Sequence, residues 1–114
     1  GLLIYRFGSN LYFANENRFK EEIIALAKKD GTIKWFCISA TNIGDIDFTS
    51  AQALKKVCTE LQKMDITLVL SEVVQPVINE LNRDGIIEMI GRDYIFESTQ
   101  DVIEAYKRST DGPY

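Results

Sequence analysis

Two short, almost uninterrupted apolar runs, Trp35-Phe36-Cys37-Ile38 and Ile66-Thr67-Leu68-Val69-Leu70, flank a segment whose apolar residues Ala51, Leu54, Cys58 and Leu61 recur at helical spacing. A strand that is apolar at consecutive positions is covered on both faces. Two such strands joined by an amphipathic helix make a parallel crossover, because a parallel pair needs a long connection that packs back on the sheet.

The rest of the chain extends this pattern. Leu2 to Phe7 is β-prone, Gly8-Ser9 breaks it, and Leu11-Tyr12-Phe13 resumes it, so a tight hairpin is expected at the start. Asn15 is placed to cap a helix, with Glu16 favourable at its positive end. Phe19, Ile23, Leu26 and Ala27 then follow helical periodicity, and Lys28-Lys29 followed by Asp30-Gly31 ends it. The helix carrying Ala51 to Leu61 is expected to stop near Met64-Asp65. Pro76 suits the first turn of a third helix that buries Val77, Leu81 and Ile78 and stops at Gly85. Ile86 to Ile90 reads as a helical turn and Tyr94-Ile95-Phe96 as a last short strand. Ser98-Thr99-Gln100-Asp101 resembles a capping box ahead of a final helix bearing Val102, Ala105 and Tyr106. The expected order is β-β-α-β-α-β-α-β-α, an α/β domain with a mostly parallel sheet and flanking helices. One domain over residues 1–110 is expected, with 111–114 as a frayed tail.

With 114 residues and 46% apolar content, a single core can form. The net charge of −4 argues against nucleic acid as a partner, since neutralising phosphates needs clustered Lys and Arg. The acid is uneven: Ser71 to Tyr114 holds nine acidic and four basic residues. That stretch reads as a solvated acidic surface, with a docking face for a basic partner as the alternative. Cys37 and Cys58 both read as small core residues, as suits a reducing compartment. Apolar runs of roughly four residues fall far short of the ~20 needed to cross a bilayer, and no signal peptide is visible. The chain opens at Gly1, without Met, directly into a strand-like run. A fragment of a longer protein is therefore expected, with proteolytic processing of a small one as the alternative.

Few residues can carry chemistry. The absence of histidine removes the commonest general base and metal ligand. Either cysteine would lack an imidazole partner as a nucleophile, zinc ligands are too few, and no glycine-rich phosphate loop occurs. No cofactor or metal is expected. The promising place is the polar loop after Ile38, Ser39-Ala40-Thr41-Asn42-Ile43-Gly44, and the helix start Asp45-Ile46-Asp47-Phe48-Thr49-Ser50. Asp45 and Asp47 are paired carboxylates that could hold Mg²⁺ or share a proton. Against this, Asp47 is suited to cap the helix beginning near Phe48, and Asp45 to stabilise the loop through backbone bonds. Phe7 is followed by Gly8-Ser9, without the further acids that a phosphoacceptor site of the receiver type requires. Thr49 and Ser50 place hydroxyls in the first helical turn. A phosphate at Thr49 would meet the helix dipole and the opposing charge of Asp47, which suits a switch; two hydroxyls that simply help start a helix are the plainer reading.

The order of these segments resembles the STAS domain, the sulfate-transporter and anti-sigma-factor-antagonist module. The likeness is to the domain following the membrane segments of SulP-type anion transporters. It is carried by Gly1 to Phe7, Leu11-Tyr12-Phe13-Ala14-Asn15, Asp45 to Ser50 followed by Ala53-Leu54, Gly85-Ile86 with Ile90-Gly91, and Ile95-Phe96. The resemblance implies a STAS-like, SpoIIAA-like sheet flanked by helices. It also implies a non-catalytic regulatory or protein-interaction role on the cytoplasmic side of the membrane, with the membrane portion of the parent transporter and other cytoplasmic proteins as partners. The alternative it offers is a stand-alone anti-sigma-factor antagonist that binds a kinase-like anti-sigma factor. In those antagonists a phosphorylatable serine directly follows the loop aspartate. The matching position here is Phe48, with Thr49 one residue further on, which favours the transporter branch. The short loop from Asp30 to Lys34 lacks the long insertion of animal transporters and implies a bacterial form. Nucleotide binding, proposed for the family, finds no phosphate cradle here. The interaction loop expected from residues and resemblance together is Asp45, Asp47, Phe48, Thr49 and Ser50, with Thr49 as the candidate phosphoacceptor.

Overall fold

The computed structural model describes residues 1–6 and 16–111. Among these residues the elements are β1 (Leu2–Arg6), α1 (Glu16–Lys29), β2 (Trp35–Ser39), α2 (Phe48–Lys63), β3 (Thr67–Ser71), α3 (Gln75–Arg83), α4 (Ile86–Ile90), β4 (Ile95–Phe96) and α5 (Thr99–Asp111), with a 3₁₀ turn at Arg92–Tyr94. The four strands form a sheet of order β1-β2-β3-β4, every neighbouring pair parallel. The parallel sheet with flanking helices is therefore present. The second strand of the expected hairpin and the Asn15 cap lie outside the described residues, as does 112–114 of the expected tail, while Asp111 is the last residue of α5.

The alternation of β2 and β3 divides the core. Phe36, Ile38, Leu68 and Leu70 face α1, α2, α3 and α4 and join one large cluster with Phe19, Ile23, Leu54, Leu61 and Leu81. Cys37 and Val69 face the other way and pack with Val102 of α5 in a smaller cluster. Burying each large side chain of this kind is worth about 1.5–3 kcal/mol, so the four-helix side carries most of the hydrophobic stabilisation. The α5 side is closed largely by aromatic edges: Trp35 meets Tyr94 and Tyr106 in T-shaped contacts at 5.7 and 5.2 Å between ring centroids. On that face Ile4 of β1, in register with Cys37, is 41% exposed.

Local signals account for most boundaries. Asp47 caps α2, and Ser98 Oγ accepts the Asp101 backbone N–H at 3.1 Å to start α5. Pro76 falls in the first turn of α3, where its missing N–H costs nothing. Gly85, at φ 77, turns the chain from α3 into α4. Both cysteines are buried, as expected, and burial pushes each thiol above its ordinary pKa. The last strand starts one residue later than expected because the 3₁₀ turn takes up Tyr94, whose N–H bonds Gly91 O.

Candidate functional site

The loop between β2 and α2 leaves the carboxyl end of the sheet, the usual place for function in a parallel α/β domain. Its path is fixed at both ends. The Ala40 N–H donates to Ser71 O at 2.8 Å, extending the β2–β3 ladder by one bond, and Ile43 N–H donates to Ala40 O at 3.0 Å to close a turn. Ile43 and Ile46 are buried and hold the loop against the large cluster.

Both aspartates serve the backbone. Asp45 Oδ1 accepts from Ile46 N–H at 2.9 Å, and Asp47 Oδ1 accepts from Ser50 N–H at 2.8 Å. Asp47 O also takes the Ala51 N–H at 2.9 Å, so residue 47 closes two of the first helical bonds. No group of three or more His, Cys, Asp or Glu able to hold a metal occurs among the described residues.

The loop thus presents outward Thr41, Asn42, Gly44, Asp45, Phe48 and Thr49. Phe48 is 61% exposed, on the first residue of a helix whose start is held by its cap. The two hydroxyls expected to share the first turn separate: Thr49 is exposed, whereas Ser50 is 1% exposed and its Oγ has no hydrogen-bond partner. A helix turns about 100° per residue, so the exposed arc that holds Phe48 and Thr49 has turned into the core by Ser50. Ser50 is a packing residue and offers no group to a partner.

A second feature at the same end of the sheet was not legible in the sequence. Thr99 Oγ1 donates to the Glu72 carboxylate at 3.2 Å and lies 3.1 Å from Ser71 Oγ, and the Cys37 thiol donates to Ser71 Oγ at 3.5 Å. The carboxylate fixes the direction, because it can only accept: Cys37 to Ser71 to Thr99 to Glu72. This chain ties β2, β3 and the start of α5 together. In the sequence Ser71 merely follows the apolar run Ile66 to Leu70 and Thr99 belongs to a capping-box pattern, with no signal of their contact.

Residues 1–102 match the family described as the STAS domain. The chain belongs to the STAS-domain family. This STAS domain is 29% identical over 109 residues to a probable sulfate transporter of Mycobacterium tuberculosis, an alignment covering 95% of the chain and 20% of that protein. It spans about a fifth of the length of such relatives. Its fold matches the crystal structure of a sulfate transporter family protein from Wolinella succinogenes with TM-score 0.84 at 24% identity, over 96% of this chain and 88% of the other. It also matches a putative anti-sigma factor antagonist from Thermotoga maritima with TM-score 0.79 at 15% identity, over 94% and 88%. At these identities the likeness is one of fold, shared by the transporter-family protein and the antagonist alike.

Proposed function

We propose that this STAS domain is a non-catalytic, regulatory contact module of a SulP-type sulfate or related anion transporter, acting on the cytoplasmic side of the membrane. Its contact surface is the loop and helix start carrying Asp45, Asp47, Phe48 and Thr49, with Ser50 packed beneath. One observation carries this reading: a large aromatic side chain, Phe48, is held out to solvent by a loop fixed by two buried isoleucines, the Asp45 loop bond and the Asp47 helix cap. An exposed aromatic on a fixed frame binds at little cost in entropy, and such residues dominate protein interfaces. Its partner is the membrane portion of the parent polypeptide. The similarity to transporters many times its length supports that partner. Among the described residues no helix is long and apolar enough to cross a membrane, so translocation would belong to the other part of such a protein. Residues 1–110 act as one module in this reading.

The antagonist alternative would need a switchable hydroxyl at this surface. Phe48 has none at the matching position, and Thr49, one residue further on, is an exposed hydroxyl that a kinase could modify. The discriminating experiment recovers the full reading frame and reconstitutes its product in proteoliposomes. Phe48→Ala is expected to change the rate of sulfate uptake at least severalfold while the isolated domain keeps its unfolding midpoint. A reading frame with no membrane segments, or uptake indifferent to Phe48→Ala and Phe48→Asp alike, overturns the proposal.

A further inference from the structure

Well along α2 from Phe48, the outer surfaces of α1 and α2 enclose an open groove of about 610 Å³. That is within the range of specific binding clefts. Its floor is apolar: Ile24 and Ala25 from α1, and Val57 from α2, which is 1% exposed. Its rim carries Lys20, Lys28 and Lys56. Among the described residues none of these three ammonium groups has an ion pair. Of the two acids on the rim, Glu21 and Glu60, the second is already engaged by Lys63 at 3.3 Å. The rim thus holds three unpaired lysines against two glutamates over an apolar floor, a net positive patch on a chain of net charge −4.

We propose that this groove docks an amphipathic helix of a partner protein, one whose apolar stripe is flanked by carboxylates. The shape supports a helix, since a third helix fits naturally in the valley between two packed side by side. The charges support acids on it. Lys20 and Lys28 stand eight residues apart on α1, or about 12 Å along the axis. A partner helix lying along α1 meets both when its carboxylates are seven or eight positions apart, with leucine-like residues between them facing Ile24 and Ala25. A nucleic acid is disfavoured because three lysines on an acidic protein neutralise few phosphates. A membrane surface is disfavoured because the apolar atoms lie at the bottom of a concavity, where acyl chains cannot meet them without the lysines being buried. This surface is separate from the Phe48 loop, and the proposal stands independently of the transporter reading.

The test uses the whole 114-residue chain and a helical peptide of roughly 18 residues, with leucines on one stripe and glutamates flanking it at the predicted spacing. A second peptide carries lysines in place of the glutamates. Fluorescence anisotropy is expected to give saturable binding of the acidic peptide only, with amide shifts confined to α1 and α2. Reversing the rim with Lys20→Glu, Lys28→Glu and Lys56→Glu should weaken binding about tenfold or more, as three rim ion pairs would. Ala25→Trp, which fills the groove and leaves every charge in place, should abolish it. All four positions lie on the outer helix surface, and an unchanged unfolding midpoint checks that each variant is folded. The proposal is overturned by absence of saturable binding up to about 1 mM, equal binding of both peptides, or equal binding by the charge-reversed chain. It is also overturned if the lysines instead mediate flotation with phosphatidylglycerol vesicles, or dimerisation seen by sedimentation, while the peptide fails to bind.

Discussion

Glu72 is a demanding test of how the carboxyl end of the sheet is held. It leaves β3 with φ 59, in the left-handed region that a residue with a Cβ enters at a cost of about 1–2 kcal/mol. It stays there because its carboxylate accepts from Thr99 Oγ1 at 3.2 Å and its N–H donates to Phe96 O at 3.3 Å. Glu72→Ala keeps the strain and the backbone bond but loses the carboxylate. A bond to a charged acceptor is worth about 1.5–3 kcal/mol, reduced here to about 1 kcal/mol because both partners are partly exposed. Glu72→Gly loses the same bond but relieves about 1.5 kcal/mol of strain, offset by about 0.7 kcal/mol for the greater freedom of glycine in the unfolded chain. The expected result is that Glu72→Ala destabilises by about 1 kcal/mol and Glu72→Gly by close to zero. In a domain of this size the difference corresponds to about 4 °C in Tm. Urea unfolding followed by Trp35 fluorescence reads it directly, since Trp35 packs on Tyr106 of α5. A cycle of Glu72→Ala with Thr99→Val should return a coupling energy of about 1 kcal/mol. Equal destabilisation by alanine and glycine, or a coupling near zero, would refute both the strain and the latch.

Further outcomes follow from the same geometry. Asp47→Ala should cost about 1 kcal/mol of stability through the lost helix cap, whereas Phe48→Ala should leave urea stability within about 0.5 kcal/mol, because its ring is mostly in solvent. Cys37 and Cys58 are raised in pKa by burial, so the unfolded chain releases thiol protons at lower pH than the folded one. Stability is then unaffected by the thiols below the unfolded value near 8.5 and falls as pH rises above it. Denaturation midpoints measured from pH 7 to 10, with Cys37→Ala and Cys58→Ala as references, check the sign, and labelling by iodoacetamide should be slow until the protein unfolds. Gly91→Ala should be more damaging than Gly85→Ala in thermal unfolding. Gly91 sits at φ 100, where a Cβ would lie 3.3 Å from Tyr94 Cδ2, while a Cβ at Gly85 meets nothing within 4 Å and suffers only its φ of 77.

What the chain revealed before folding was everything written in local periodicity. Consecutive apolar residues at 35–38 and 66–70 announced covered parallel strands, the spacing of Ala51, Leu54, Cys58 and Leu61 announced the helix between them, and Asp47 and Ser98 marked helix starts. These signals act between residues one to four positions apart, so they survive in the unfolded sequence. The candidate loop was legible for the same reason. Its exposed residues were not, because the phase of α2 against the sheet decides that Thr49 faces solvent and Ser50 does not. The bonds from Cys37 to Ser71 and from Thr99 to Glu72 join residues 34 and 27 positions apart. The groove between α1 and α2 likewise exists only once the two crossovers lie side by side on one face of the sheet. Contacts of that range carry no periodic imprint; they are set by strand register and by the parallel topology that stacks the strand ends together.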